Sequence, residues 1–528
     1  MRVRAWRAWA GLAVVAAAVG IAAVVADGEL FDTDEPELIT SAIPMPLTPT
    51  PDTTPTPAPT PATPTATTPP PASETTEPTA TPYPGWVDPA SEGKPHGSVP
   101  GLLTFRGNPT RTFYGTGPVP QSPEVLWRFT GSPERDLCSL TSWAGGTTLW
   151  CGSGWTGQPA VVEWDERTWV VVGTFAPAVH FLDAATGEPL LGEFLVGDLI
   201  KGSVTVDPDG YPLAYFGSRD DYFRIIAFDR DQPEELWSLH AYDVAPVLWN
   251  NDWDGAALVL DDYLFQGGEN SHLHIVKLNR GYGPDGRVTV DPELVFTAPG
   301  WDEELLSVLG DNNVSIETGI TVVGDTLYFA NSGGLVQGWD IAGLADGRDP
   351  ERVFRYWAGD DVDATVVADA AGHLYVGVEY ERGTARSQAQ GQVLRLDPSA
   401  DDPLVWGADL RNAAVDGVWA TPALTDEMVY VPTNAGFLYG LRRDTGEVVW
   451  SKRLAGPVWS SPVVIDGVLI QGDCAGVIRA YDVSLPWVDP PELWRVTLDG
   501  CVESTPAVWN GVIYVGARDG GFYAIGDR

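Results

Sequence analysis

The stretch Val458–Asp482, VWSSPVVIDGVLIQGDCAGVIRAYD, decides the fold. It reads as a strand (WSSPVVI), a turn (DG), a second strand (VLIQG), a turn carrying Cys474 (DCAG) and a third strand (VIRAYD). An outer strand then closes at Leu493–Trp494. β-Branched and aromatic residues fill the strands, and Asp and Gly fill the breaks. The preceding unit repeats the pattern as WATPALT, DE, MVYVPT, NAG, FLYGLR, DTG, EVVW. The following unit runs ESTPAVW, NG, VIYVGA, RDGG, FYAIG. Pro422, Pro462 and Pro506 mark the same place in these three units, 40 and then 44 residues apart. Four short strands repeated at this period predict a radial array of blades.

Earlier units are looser but share the punctuation, beginning at Pro159, Gly202, Gly255, Thr318 and Ala364. Together they make seven four-stranded units and an eighth that lacks its outer strand. The segment EVLWRF, Glu124–Phe129, is available to complete it. Closing the ring with an N-terminal strand removes the free sheet edges. The expectation is an all-β, eight-bladed propeller of four-stranded blades, with seven blades as the alternative.

The chain has 528 residues, of which 72 are acidic and 31 basic, a net charge of −41. That surface repels phosphate backbones, which excludes nucleic acid as a partner. Arg2, Arg4 and Arg7 precede an uncharged run from Ala8 to Ala26, and acidic residues follow from Asp27. As a helix the run would span roughly 28 Å, close to a bilayer core. Its charge asymmetry places residues 1–7 in the cytoplasm and the rest outside. The expectation is a single-pass membrane anchor at 8–26; a cleaved signal ending near Val24–Ala26, with secretion, is the alternative. Residues 27–95 are acidic, then dense in Pro and Thr, and predict a disordered stalk ahead of a propeller at 96–528.

The pattern SPVV, DG, VYVG, DG, LYALD, TG and W resembles the PQQ-like propeller repeat. That repeat occurs in quinoprotein alcohol dehydrogenases and in the propeller lipoprotein of bacterial outer-membrane assembly. LRRDTGEVVW, Leu441–Trp450, carries the AxDxxTGxxxW element, with Arg442 and Arg443 departing from it. TFRGNPTRTFYGTGPVPQSPEVLWRF, Thr104–Phe129, resembles the opening segment of such propellers. The resemblance implies the fold, while function belongs to the site. Dehydrogenases of the family use an adjacent-cysteine disulfide and Glu, Asn and Asp ligands for calcium. This chain has no CC pair, and its ligands do not match residue by residue.

In a propeller the loops before the inner strands crowd one mouth of the central funnel. Aligning units on their second strands, ten residues before Leu264, Leu327, Val429, Leu469 and Ile513, gives Asp254, Glu317, Trp419, Trp459 and Glu503. Lys201 is the counterpart in the second unit. These six are the candidate ligand-binding residues. The loops NNDWDG, GDNNVSIET and GDDVDAT add Asp252, Asp311, Asn313, Asp361 and Asp363 as oxygen ligands suited to calcium. The same residues also serve as ordinary turn formers. GSGWTG, Gly152–Gly157, lacks the helix of a nucleotide loop. His272 and His274 share a strand face and read as a structural pair. Trp127, Trp237, Trp406, Trp450 and Trp494 end outer strands, where they suit packing between blades.

The four cysteines form no CxxC pair, so zinc has no support. Cys474 lies in a turn on the mouth side and Cys501 just before the next inner strand. The expected bonds are therefore Cys474–Cys501 and Cys138–Cys151, which persist outside the cytosol. The functional expectation is a membrane-tethered extracytoplasmic binding or scaffold module, with an envelope protein or a small polar ligand at its mouth. No catalytic residue is assigned and no cofactor is required. The rival is an oxidoreductase for alcohols or sugars using the quinone (PQQ) or calcium.

Overall fold

The computed structural model describes residues 83–143, 146–413 and 416–528. The basic segment, the anchor and the stalk up to residue 82 lie outside the described residues. Among the described residues, no helix is long and apolar enough to cross a membrane.

The body is an eight-bladed propeller, which sets aside the seven-blade alternative. Inner and second strands of successive blades are Ala160–Trp164 with Arg167–Thr174, Thr205–Val206 with Leu213–Gly217, and Leu258–Leu260 with Tyr263–Gly267. Then follow Thr321–Val323 with Thr326–Phe329, Val367–Ala368 with Leu374–Gly377, and Ala423–Leu424 with Met428–Pro432. Val463–Ile465 with Val468–Gly472 and Ala507–Trp509 with Val512–Ala517 complete the ring. The expected closing strand is in place. Glu124–Phe129 runs antiparallel to Gly521–Gly526 and pairs Trp127 with Ala524.

The TG and W positions of the repeat explain one another across blade boundaries. The Trp127 indole of the eighth blade donates to the Ala184 carbonyl of the first blade at 3.0 Å. Trp406 of the fifth donates to the Arg443 carbonyl of the sixth at 3.1 Å. Gly187 and Gly446 lie under these rings at φ 74° and 73°. A Cβ there would come within 2.6 Å and 2.5 Å of the indoles. Glycine is therefore required twice over, for backbone conformation and for clearance. Trp494 donates to the Pro120 carbonyl at 2.7 Å, and Trp237 and Trp450 pack among hydrophobic residues of neighbouring blades.

One face of the ring is sealed by the N-terminal part of the body. Residues 86–95, placed with the stalk by composition, pack on it: the Trp86 indole donates to Ile341, and Glu92 accepts from Arg443 and Ala370. Gly101–Leu102 adds a strand to the first blade, and Gly115–Thr116 runs parallel to Val508–Trp509 of the eighth. Between these strands the chain enters the central channel as a plug. Inner-strand amides of Val206, Val322 and Ala368 donate to the carbonyls of Leu103, Pro109 and Thr110. Arg106 and Arg111 are fully buried within the plug. Arg111 donates through Nε to Ile320 at 2.9 Å and through Nη1 to Phe105 at 2.7 Å. Burial pushes the two guanidinium pKa values down, to about 10 and about 9, so both remain charged at neutral pH.

Both expected disulfides form, and no described cysteine is free. Cys474–Cys501 ties the seventh blade to the eighth across 27 residues of sequence. Opening a loop of that size by replacing both cysteines with serine should cost about 3 to 4 kcal/mol. Urea midpoints under non-reducing conditions check this; an unchanged midpoint contradicts the stapling role.

Candidate functional site

Strand register defines the mouth. Val161, Val206, Val259, Val322, Ala368, Leu424, Val464 and Val508 hold the same place in their inner strands, each paired to the second strand at an equivalent residue. Five residues before each stand Thr156, Lys201, Asp254, Glu317, Asp363, Trp419, Trp459 and Glu503. All six sequence-derived mouth residues therefore belong to one ring, and Asp363 joins them. Four carboxylates, one ammonium and two indoles face the end of the channel opposite the sealed face.

Lys201 anchors one side. Its Nζ lies 2.5 Å from Asp254, 3.1 Å from Glu269 and 3.2 Å from Asp252. Arg219 adds a 2.8 Å contact from its Nε to Asp252. The same guanidinium donates to Thr141 in the disulfide-closed segment between Cys138 and Cys151. Burial alone would lower the Lys201 pKa, but Asp254, Glu269, Asp252 and Glu317 together hold it well above the usual range. Burial raises Asp254, Lys201 opposes that, and Glu317 and Asp252 push it up again, to about 6. Burial and Glu269 bring Glu317 to about 7. These shifts have one origin: a buried site with more carboxylates than cations retains protons.

The other side is aromatic. Trp155 meets Trp419 edge to face at 5.1 Å, and Trp419 meets Trp459 at 6.2 Å in the same geometry. All three are half-buried. Lys201 Nζ lies 5.6 Å from the Trp155 ring, which links the indoles to the acidic side. Glu503 pairs with Arg518 at 3.2 Å, and Arg518 stacks over Trp150. Behind the mouth, the hollow lined by Ser153, Gly154, Gly157, Lys201 and Ser504 has a volume of about 10 Å³. That is room for roughly one water.

A second acidic group sits in the fifth blade. Ligand oxygens of Asp361, Asp363 and Glu379 lie within 4.8 Å of one another. Ser332 donates to Asp363 at 3.0 Å and Asn434 donates to Glu379 at 2.9 Å. Burial drives the pKa values of all three well above the carboxylate range. Asp252, Asp361 and Asp363 thus fall within the two acidic groups. Asp311 and Asn313 do not. Asp311 is half-exposed, accepts from the Asn313 amide as a turn, and lies 3.7 Å from Arg382. His272 and His274 are buried against Trp301 and Trp253, in keeping with a structural pair.

The raised pKa of Asp254 has a testable sign. A buried acid whose folded pKa exceeds its ordinary value of 3.8 stabilises the fold while protonated. That contribution is present below about pH 4 and is lost as pH rises to about 6, a loss of about 3 kcal/mol. The stability difference between wild type and Asp254→Asn, from urea midpoints at successive pH values, should shift by that amount across the window. A difference independent of pH contradicts it.

Residues 389–485, spanning the third and outer strands of the fifth blade through most of the seventh, match the family model described as outer membrane protein assembly factor BamB. Outer membrane protein assembly factor BamB of Yersinia pestis is 35% identical over 100 residues, 18% of this chain and 25% of that protein. The match thus spans about a quarter of that relative's length. Among solved structures, quinohemoprotein alcohol dehydrogenase from Comamonas testosteroni gives a TM-score of 0.53 at 13% identity, covering 81% of this chain and 80% of that one. BamB from Moraxella catarrhalis gives 0.48 at 15% identity, covering 77% and 98%. The family match places a PQQ-like repeat within residues 389–485, and the likeness to the dehydrogenase structure is one of fold.

Proposed function

We propose that this protein is a membrane-tethered, extracytoplasmic docking module that holds an envelope protein at its mouth through a cationic side chain. The carrying observation is the pairing of half-buried Trp419 and Trp459 with a carboxylate-rich ring, above a hollow of about 10 Å³. A cation over an indole is worth about 0.5–2 kcal/mol, and flanking carboxylates add to it. That hollow is too small to hold a saccharide. The basic, apolar and Pro/Thr-rich segments ahead of residue 86 supply the tether in this reading. The similarity to a protein named for outer membrane protein assembly agrees with an envelope partner.

The rival oxidoreductase reading fits these residues poorly. Pyrroloquinoline quinone is a tricarboxylate, and the mouth already carries more buried carboxylates than cations. The adjacent-cysteine disulfide is lacking too, since the bonds join residues 13 and 27 apart. Pull-down with the full chain from detergent-solubilised envelopes should recover a partner that the Trp419→Ala/Trp459→Ala variant loses at least tenfold. Quinone-dependent reduction of an artificial electron acceptor by alcohols or sugars would reverse the choice.

A further inference from the structure

We infer that Asp361, Asp363 and Glu379 of the fifth blade, bordered by Glu317, form a calcium site. The inference begins with the repeat. Asp252-Trp253-Asp254 and Asp361-Val362-Asp363 occupy the same positions ahead of the third and fifth inner strands. Glu269 and Glu379 each stand two residues after the glycine that ends the second strand, Gly267 and Gly377. The two blades therefore build the same three-carboxylate cup.

The cups differ in what fills them. In the third blade, the cup closes on the Lys201 ammonium, supplied by the ring position of the preceding blade. The ring position preceding the fifth blade is Glu317, so a carboxylate stands where the other cup has its cation. Arg382 lies 3.7 Å from Asp361 and is shared with Asp311 at the same distance. Asp361 is 4% exposed, and its buried Oδ1 has no hydrogen-bond partner. A buried carboxylate oxygen without a donor is costly unless a cation meets it. The lysine of one blade thus marks the place where the other blade takes its cation from solution.

The donors are all oxygen, which selects a hard cation over zinc or copper. Asp361 and Asp363 come from a loop, Glu379 from a strand end, and waters from the mouth can complete an irregular shell. Calcium accepts such a shell, whereas magnesium demands a near-ideal octahedron. Calcium sites of extracellular modules bind at roughly 10⁻⁴ to 10⁻³ M, and a site of this kind needs no tighter affinity outside the cell. The inference goes beyond the docking reading and takes only its affinity range from the extracytoplasmic placement in that reading, because ion binding is measured without any partner.

The test titrates EDTA-treated full chain in detergent with CaCl₂ by calorimetry and follows the melting temperature. One ion per chain and a higher melting temperature are expected, with MgCl₂ binding at least tenfold more weakly. Asp361→Asn and Glu379→Gln should each weaken calcium binding at least tenfold, while Asp311→Asn leaves it unchanged. Binding that survives both substitutions overturns the assignment. Should those variants fail to fold, the wild type decides alone: no heat and no melting shift at about 10 mM CaCl₂, an order of magnitude above the expected range, overturns it.

Discussion

Lys201→Met is expected to destabilise the propeller by about 3–5 kcal/mol, the cost of breaking a buried ion pair by removing one partner. The ammonium is 5% exposed and meets three carboxylates within 3.2 Å. Methionine keeps much of the volume and removes the charge, leaving Asp252, Asp254 and Glu269 with Arg219 at one edge. Those acids can then escape the penalty only by taking up protons, so the loss should shrink at low pH. Asp254→Asn in the Lys201→Met background should recover part of it, because the amide no longer repels its neighbours. A double-mutant cycle on urea midpoints measures this coupling. A loss below 1 kcal/mol, or no recovery, contradicts the view of Lys201 as a built-in counterion.

Arg111→Met is expected to cost a similar amount, about 3–5 kcal/mol, for a different reason. The guanidinium crosses the central channel and satisfies the Ile320 and Phe105 carbonyls and the Thr104 hydroxyl. Removing it strands buried acceptors, each worth about 1–3 kcal/mol, and loosens the plug that links the blades from within. Arg442, exposed and paired with Asp444 two residues away, provides the contrast; Arg442→Met should leave the urea midpoint unchanged. Equal effects at the two positions would contradict the plug as a structural element.

Comparison of these residues with the sequence shows what patterning can carry. Blade number, the closing strand and both disulfides were legible because they depend on period, turn chemistry and strand edges. The mouth is legible where the first turn has constant length, and at Lys201 of the second blade despite a longer turn. Counting back from the second strand failed in the fifth blade, where the turn around Asp369–Gly372 is longer. The sequence therefore presents Asp363 as a metal ligand alone and not as a ring member. Counting from the inner strand removes that error, but the inner strand is identified only by its pairing.

Glu269 and Glu379 escaped notice because they approach the ring across a hairpin. Their sole local signal is the shared glycine–any residue–glutamate after the second strand. Trp155 was hidden in GSGWTG, where left-handed backbone at Trp155 and Thr156 turns the loop into the centre. That conformation is unusual outside glycine and cannot be read from composition. Nothing in the sequence marks Arg106 and Arg111 as buried, because arginine is so rarely buried without a carboxylate. Asp311 and Asn313 show the opposite error: acidic and amide residues in a loop signal turns as readily as ligands.

The docking claim is tested most directly by placing a photo-crosslinking amino acid at position 459 of the full chain in living cells. An envelope protein should crosslink from that position. None should crosslink from position 427, at the turn between Leu424 and Met428 on the sealed face. The adduct should disappear when Trp419 is also replaced by alanine. Crosslinking from 427 but not 459, or none from either, would contradict a mouth built to hold a partner.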